Sequence, residues 1–278
     1  MPTAPRELLC RDRRLILDGT PHIVGILNVT DDSFFDGGHH NALPAAVSHA
    51  RLLVAQGATV IDVGGQSTRP GYTEVGPDEE ISRVIPVIRE LVRHTAAPIS
   101  IDTYHAAVAD AALSAGAHIV NDVHGLQRDP LMASVIAKHQ AAAILMHNDP
   151  TLRDSTADVI AALKTFLTRT LSLASAAGID PTRIILDPGI GFAKTQSQNL
   201  QIIARLAELH SLGHPLLLGV SRKSVISHVL DLPPEDRLEG TLALTALAVS
   251  QGVQFHRVHD VEPNARAARM STAVRDAR

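Results

Sequence analysis

The feature that most restricts the fold is a repeated unit: a short apolar run, then glycines or polar residues, then a helix-length amphipathic stretch. The apolar runs fall at residues 22–27, 59–63, 98–101, 118–120, 142–146, 183–186, 215–219 and 254–258. Helix-like segments occupy 43–56, 78–93, 105–115, 131–139, 156–177, 198–210, 238–251 and 262–274, and Gly57, Gly116, Gly178 and Gly252 end four of them as C-caps. Runs apolar on both faces suit strands of a parallel sheet covered by helices, joined by right-handed crossovers. Eight such units in 278 residues predict a closed (β/α)8 TIM barrel, which typically needs roughly 250 residues. An open doubly wound sheet is the alternative, since repetition alone does not prove closure. Residues 1–278 read as one domain. Two short apolar pieces around Arg11-Asp-Arg-Arg14, followed by Asp18-Gly-Thr20, predict a hairpin cap within residues 1–20, and 21–278 form the barrel.

Charge and cysteine content exclude several classes of function. A net charge of −4 with no basic cluster gives no footprint for nucleic acid or anionic lipid, so any phosphate must be bound locally. One cysteine, Cys10, allows neither a disulfide framework nor a cysteine metal site within the chain and suits a reducing compartment. No unbroken apolar run approaches the roughly 18 residues of a membrane span, and the N-terminal residues lack the apolar stretch of a secretory leader. The expected location is the cytoplasm.

In a barrel of this kind chemistry belongs at the C-terminal ends of the strands. There the chain offers Asn28; Asp62 with Thr68 and Arg69; Asp102; Asn121 with Asp122; His147; Asp187; Ser221-Arg-Lys223; and Arg257, His259 and Asp260. Acids and amides after the third, fourth and sixth barrel strands suit a flat heterocycle rich in amino and amide groups. Cations after the second, seventh and eighth suit a phosphate or diphosphate. The order thus predicts an acid-and-amide half and a basic half. Gly219-Val-Ser-Arg-Lys-Ser224 lacks the second glycine of a P-loop, and no His-Glu-x-x-His spacing supports a histidine metal centre. Met146-His147 is as consistent with a packing methionine and a surface histidine as with ligand contact.

Seven segments in this order resemble the dihydropteroate synthase family. They are Gly25-Ile-Leu-Asn-Val-Thr-Asp-Asp-Ser-Phe-Phe-Asp-Gly-Gly38, Gly64-Gly-Gln-Ser-Thr-Arg-Pro-Gly71, Ser100-Ile-Asp-Thr103, Asn121-Asp-Val123, Asp187-Pro-Gly-Ile-Gly-Phe192, Ser221-Arg-Lys223 and Arg257-Val-His-Asp260. The resemblance implies condensation of 6-hydroxymethyl-7,8-dihydropterin diphosphate with 4-aminobenzoate, releasing diphosphate and forming 7,8-dihydropteroate for folate synthesis. It implies that Asp102, Asn121, Asp187 and Lys223 grip the pterin, with Met146, Phe192 and Gly219 lining its pocket. It assigns Asn28, Arg69, Arg257 and His259 to the diphosphate, with Mg²⁺ near Asn28, and Phe34, Thr68, Pro70 and Ser224 to the aminobenzoate. Asp102, Asp187, Lys223 and Arg257 would carry the catalysis.

The same resemblance implies a homodimer and a sulfonamide target. Three positions depart from the family pattern: Asp31 for proline, Phe35 for serine and Gln66 for glutamate. Asp31 removes a stiff turn, while Gln66 loses charge and keeps hydrogen bonding. Two rivals are a pterin-dependent corrinoid methyltransferase, which does not need Arg69, Arg257 and His259 together, and a pterin-binding paralogue without catalysis.

Overall fold

The computed structural model describes residues 6–29, 42–66 and 74–277. Two antiparallel strands, β1 (Glu7–Cys10) and β2 (Arg13–Ile16), form the hairpin, turning through Arg11 and Asp12. Eight parallel strands follow: β3 (His22–Asn28), β4 (Val60–Gly64), β5 (Ile99–Asp102), β6 (Ile119–Asp122), β7 (Ala142–Met146), β8 (Ile184–Asp187), β9 (Leu217–Leu218) and β10 (Phe255–Val258). Ladders run β8-β7-β6-β5-β4-β3-β10-β9, and a single parallel bridge, Leu186 to Leu216, joins the two ends into a barrel. Several strands extend past their apolar runs to a polar residue or glycine, at Asn28, Gly64, Asp102, Asp122 and Asp187. The seventh barrel strand is shorter than expected. Pro215 has no N–H to give, so there only its carbonyl pairs, accepting from Leu186 N.

The helices among the described residues are α1 (Ala42–Ala55), α2 (Pro77–His94), α3 (Ala106–Ser114), α4 (Met132–Lys138), α5 (Val159–Ala176), α6 (Gln196–Ala204), α7 (Ser224–Leu230), α8 (Leu238–Ser250) and α9 (Val261–Asp276). The 156–177 segment starts later than expected because Asp158 caps it, accepting from Ala161 N. The 198–210 segment is instead α6, opened by a Thr195/Gln198 capping box, followed by a 3-10 turn at Leu206–Leu212. The pattern reading missed α7, whose seven residues bury only Val225 and Ile226. α5 has the length and composition of a membrane span, which a search for unbroken runs passes over because Lys164 and Arg169 interrupt it. Its apolar side, including Leu163, Leu167 and Ala174, is buried in the barrel's outer core.

Two apolar layers result. One lies between strands and helices. The other fills the barrel's lower interior with Val24, Val60, Ile119, Ala142, Ile144, Ile185, Leu217 and Phe255, and Leu8, Cys10 and Leu15 of the hairpin join it. The hairpin is therefore a plug in the N-terminal mouth. Arginines fasten it: Arg11 Nη1 donates to Leu113 O and Ala117 O, each at 2.7 Å, and Arg13 Nη1 to Ala96 O at 2.6 Å. Arg183 Nη1 reaches back from the barrel to Leu9 O (3.3 Å) and Gln140 O (2.6 Å).

Leu8 is fully buried in this plug, so Leu8→Ala is expected to lower unfolding free energy by about 2–5 kcal/mol. Ile16→Ala, on the same hairpin but 50% exposed, should change it by less than about 0.5 kcal/mol. Parallel urea denaturation of the two variants measures the difference.

Candidate active site

Side chains alternate along a strand, so residues two and four positions beyond the lower interior layer also face the barrel axis. Counting upward from Val24, Val60, Ile119, Ile144, Ile185, Leu217 and Phe255 gives Asn28, Gly64, Asn121, Met146, Asp187, Gly219 and Arg257. Asp102 completes the row, lying in register with Gly64 on one side and Asn121 on the other. Asn28 is in register with Gly64, and Met146 with Asp187. Eight strands thus place every strand-borne pterin residue of the family pattern on one rim.

Arg257 sits at the centre of this rim. Its Nε donates to Asp62 Oδ2 and its Nη2 to Asp102 Oδ2, both at 2.6 Å, and Asn121 Nδ2 donates to the same Asp62 oxygen at 3.1 Å. The expected division into an acidic and a basic half is corrected here: the guanidinium lies inside the acid cluster. The cause is electrostatic, because Asp62 is fully buried and an unpaired carboxylate there would be strongly destabilising. Burial pushes Asp102 up to about 7 against the lowering pull of Arg257. Burial lowers Arg257's pKa too, but Asp62 and Asp102 more than restore it.

Three acceptor atoms are left on the rim. Asp102 Oδ1 and Asn121 Oδ1 accept no hydrogen bond from the described residues, and Asp187 spends only Oδ1, on Gly189 N at 2.7 Å. Burial also raises the pKa of Asp187, opposed chiefly by Lys223. Lys223, just before α7, supplies the matching donor: Nζ donates to Ile190 O at 2.7 Å and lies 4.6 Å from the Phe192 ring centroid. Burial lowers its pKa to about 8 while Asp187 pulls it up. Phe192 packs on an apolar wall of Tyr104, Val123 and Met146. Gly219 lies opposite, where a Cβ would stand 3.8 Å from both Lys223 Nζ and Arg257 Cβ.

His259 and Asn28 line one cleft of about 420 Å³ between the end of β3, α1 and the start of α9. His259 is oriented by Ser221, whose Oγ lies 3.0 Å from Nδ1 and accepts from the His259 backbone N–H at 3.2 Å. Arg222 lines the same cleft, but its guanidinium is paired bidentately with Asp260 at 2.5 and 3.0 Å. Ser224 is exposed on the rim as the first residue of α7. Phe34, Thr68, Arg69 and Pro70, like Asp31 and Phe35, lie outside the described residues. Gln66 keeps its hydrogen bonding as expected, donating Nε2 to Tyr104 OH at 2.6 Å.

Among the described residues no three His, Cys, Asp or Glu side chains are placed to hold a metal ion. Asn28, which lines the cleft with His259, offers one hard oxygen, and a Cβ on Gly64 would stand 3.7 Å from it. That donor set fits a magnesium ion taking most of its six oxygens from a bound diphosphate and water.

Three residues that shape the rim have no assigned role in the sequence reading. Asp62 stands among the strand-end candidates, but nothing local ties it to Arg257 and Asn121. Lys194 carries no motif, yet its buried Nζ donates to Gly189 O (2.8 Å), Phe192 O (3.0 Å) and His147 O (3.3 Å), pinning the loop after β8. The only signal was one lysine just past a glycine-rich turn. Tyr104 carries no motif either, although it takes the Gln66 amide and holds the Arg128 guanidinium 4.1 Å from its ring centroid. His147 is no surface residue: it is buried with its ring 4.6 Å from that of Phe166, and burial drives its pKa down to about 3.

The family model of pterin-binding enzymes matches residues 24–259. Dihydropteroate synthase of Bacillus subtilis is 47% identical over 272 residues, covering 98% of this chain and 92% of its own. A Clostridium difficile dihydropteroate synthase structure, solved in the presence of pteroic acid, superposes with a TM-score of 0.89 at 50% identity, covering 92% of this chain and 97% of its own. The Xanthomonas albilineans enzyme with 4-aminobenzoic acid gives a TM-score of 0.91 at 42% identity, covering 97% and 98%. With the barrel, its polar rim and these relatives in agreement, the chain belongs to the dihydropteroate synthase family of pterin-binding enzymes.

Proposed function

We propose that this chain condenses 6-hydroxymethyl-7,8-dihydropterin diphosphate with 4-aminobenzoate, giving 7,8-dihydropteroate and diphosphate in folate synthesis. The observation that carries this reading is the set of three spare acceptors, Asp102 Oδ1, Asn121 Oδ1 and Asp187 Oδ2, gathered beside Lys223 and Arg257. A dihydropterin presents amino and ring N–H donors along one edge and a carbonyl oxygen on another. The acceptors meet the donors, Lys223 Nζ meets the carbonyl side, and Phe192 and Met146 enclose the ring.

The reaction breaks the bond between the methylene carbon and the diphosphate oxygen and forms a bond from that carbon to the arylamine nitrogen, which then sheds a proton. Negative charge grows on the leaving diphosphate, where His259, Asn28 and Arg69 are assigned to hold it. Arg257 keeps Nη1 outside its two ion pairs, and it is assigned to the same oxygens. Positive charge grows on the methylene carbon and spreads into the ring, where Asp102 and Asp187 stabilise it. A magnesium ion bound through Asn28 would add charge neutralisation of the diphosphate. An arylamine attacks an activated methylene without a strong base, so none need lie within the rim. Phe34, Thr68, Pro70 and Ser224 are assigned to enclose the aminobenzoate.

The reading extends to assembly and location. Leu247, Met270 and Val274 expose apolar surface on α8 and α9, around a shallow cleft of about 210 Å³. We assign this face to a homodimer. The single cysteine, buried in the plug with its thiol pushed up to about 12 by desolvation, suits a reducing cytoplasm.

The direct test is diphosphate release, which should require both substrates and Mg²⁺; release without aminobenzoate, or none at all, would refute the assignment. Arg257→Ala should weaken binding of the pterin diphosphate by on the order of a hundredfold, as expected for removing a buried charge partner, and free pterin by less than about tenfold. For pH dependence, Asp102 must be ionised and Lys223 protonated. The kcat/KM for the pterin diphosphate should therefore rise through pH about 7 and fall above about 8, and Lys223→Arg should abolish the fall. Val274→Glu should convert a dimer to a monomer in sedimentation without preventing folding.

A further inference from the structure

We propose that Asp62, which no ligand can touch, is the positioning residue of the pterin site: it fixes which end of the Asn121 amide, and which edge of the Arg257 guanidinium, faces the ring. The proposal rests on the pterin-binding reading above and adds a role for a residue outside the family assignments made here.

Asp62 lies in β4 two positions below Gly64, one layer deeper than the rim, and is fully buried. Its Oδ2 takes two hydrogen bonds, from Arg257 Nε at 2.6 Å and Asn121 Nδ2 at 3.1 Å, while Oδ1 has no partner. The two ends of an asparagine amide are nearly identical in shape but opposite in chemistry. Without a constraint beneath it, Asn121 could offer the cavity either its carbonyl or its NH₂ after a half-turn about χ2. A carboxylate oxygen only accepts, so Asp62 can hold only the nitrogen. Asn121 then presents Oδ1 upward as an acceptor for a ring N–H. The same oxygen holds Arg257 Nε down, with Asp102 taking Nη2, so the remaining edge of the guanidinium points to the open side. One buried oxygen thus sets the polarity of two groups that contact substrate.

The test compares Asp62→Ala with Asp62→Asn. Asparagine keeps an acceptor oxygen at the shared point, so it should restore what alanine loses. In Asp62→Ala, KM for the pterin diphosphate should rise by about 30-fold or more, as for loss of a buried charge partner, with KM for 4-aminobenzoate within about threefold of the parent. Asp62→Asn should return the first value to within about fivefold of the parent. On an Asn121→Ala background the Asp62→Ala effect should shrink, since contacting residues are not additive. Thermal melting of each variant separates folding from positioning. Equal losses toward both substrates, an asparagine variant no better than alanine, or full additivity with Asn121→Ala would overturn the proposal. Failure of the unaltered enzyme to bind the pterin diphosphate would instead refute the functional reading on which it stands.

Discussion

One guanidinium inside a ring of carboxylates organises the upper half of the barrel. Arg257 reaches Asp62 below and Asp102 beside it, and Asn121 is drawn into the same contact. Two buried acids without that cation would repel each other, and the cation without them would be equally unfavourable in so dry a place. The three must be present together. Their mutual satisfaction leaves the outer oxygens of the rim unspent, and an enzyme needs such oxygens to recognise a polar ring. A neutral, apolar barrel of the same shape would be easier to fold and would have nothing to offer a pterin.

Below that ring the same strands turn mainly apolar groups inward, with Ser100 and His22 as the polar exceptions. The period of two does both jobs: Phe255 and Arg257, or Ile185 and Asp187, share a strand and a face, one stabilising and one binding. The hairpin closes the apolar end, and its arginines cap carbonyls of the surrounding loops. The loop after β8 is fixed with comparable economy. Gly189 adopts φ +68°, and a Cβ there would come within 2.1 Å of His147 O, the carbonyl that Lys194 also bonds. No other residue type fits that position.

Much of this was readable in the sequence, and the rest was not for identifiable reasons. Eight apolar runs located the eight strands within one or two residues, because burial on both faces leaves an unbroken signal. The polar residues ending those runs marked the rim, since alternation and parallel register carry them to one end. The short α7 left almost no periodic pattern, with two buried residues in seven. The partnership of Arg257 with Asp62 joins residues 195 positions apart, and nothing local predicts it. Chain order even suggested the reverse, grouping Arg257 with the cations. Lys194 and Tyr104 act through backbone carbonyls and ring faces, which have no sequence signature.

The seam of the barrel has a consequence of its own. Seven of the eight strand junctions are continuous ladders, but β8 meets the β9 segment through one bridge at Leu186 and Leu216. Asp187 and Gly219 flank that junction, and Lys223 spans it, bonding Ile190 across the gap. The fewest amides of the cylinder are tied there. A bound heterocycle that engages Asp187 and Lys223 together would act as a stitch across the gap, so that binding it also completes the wall that contains it.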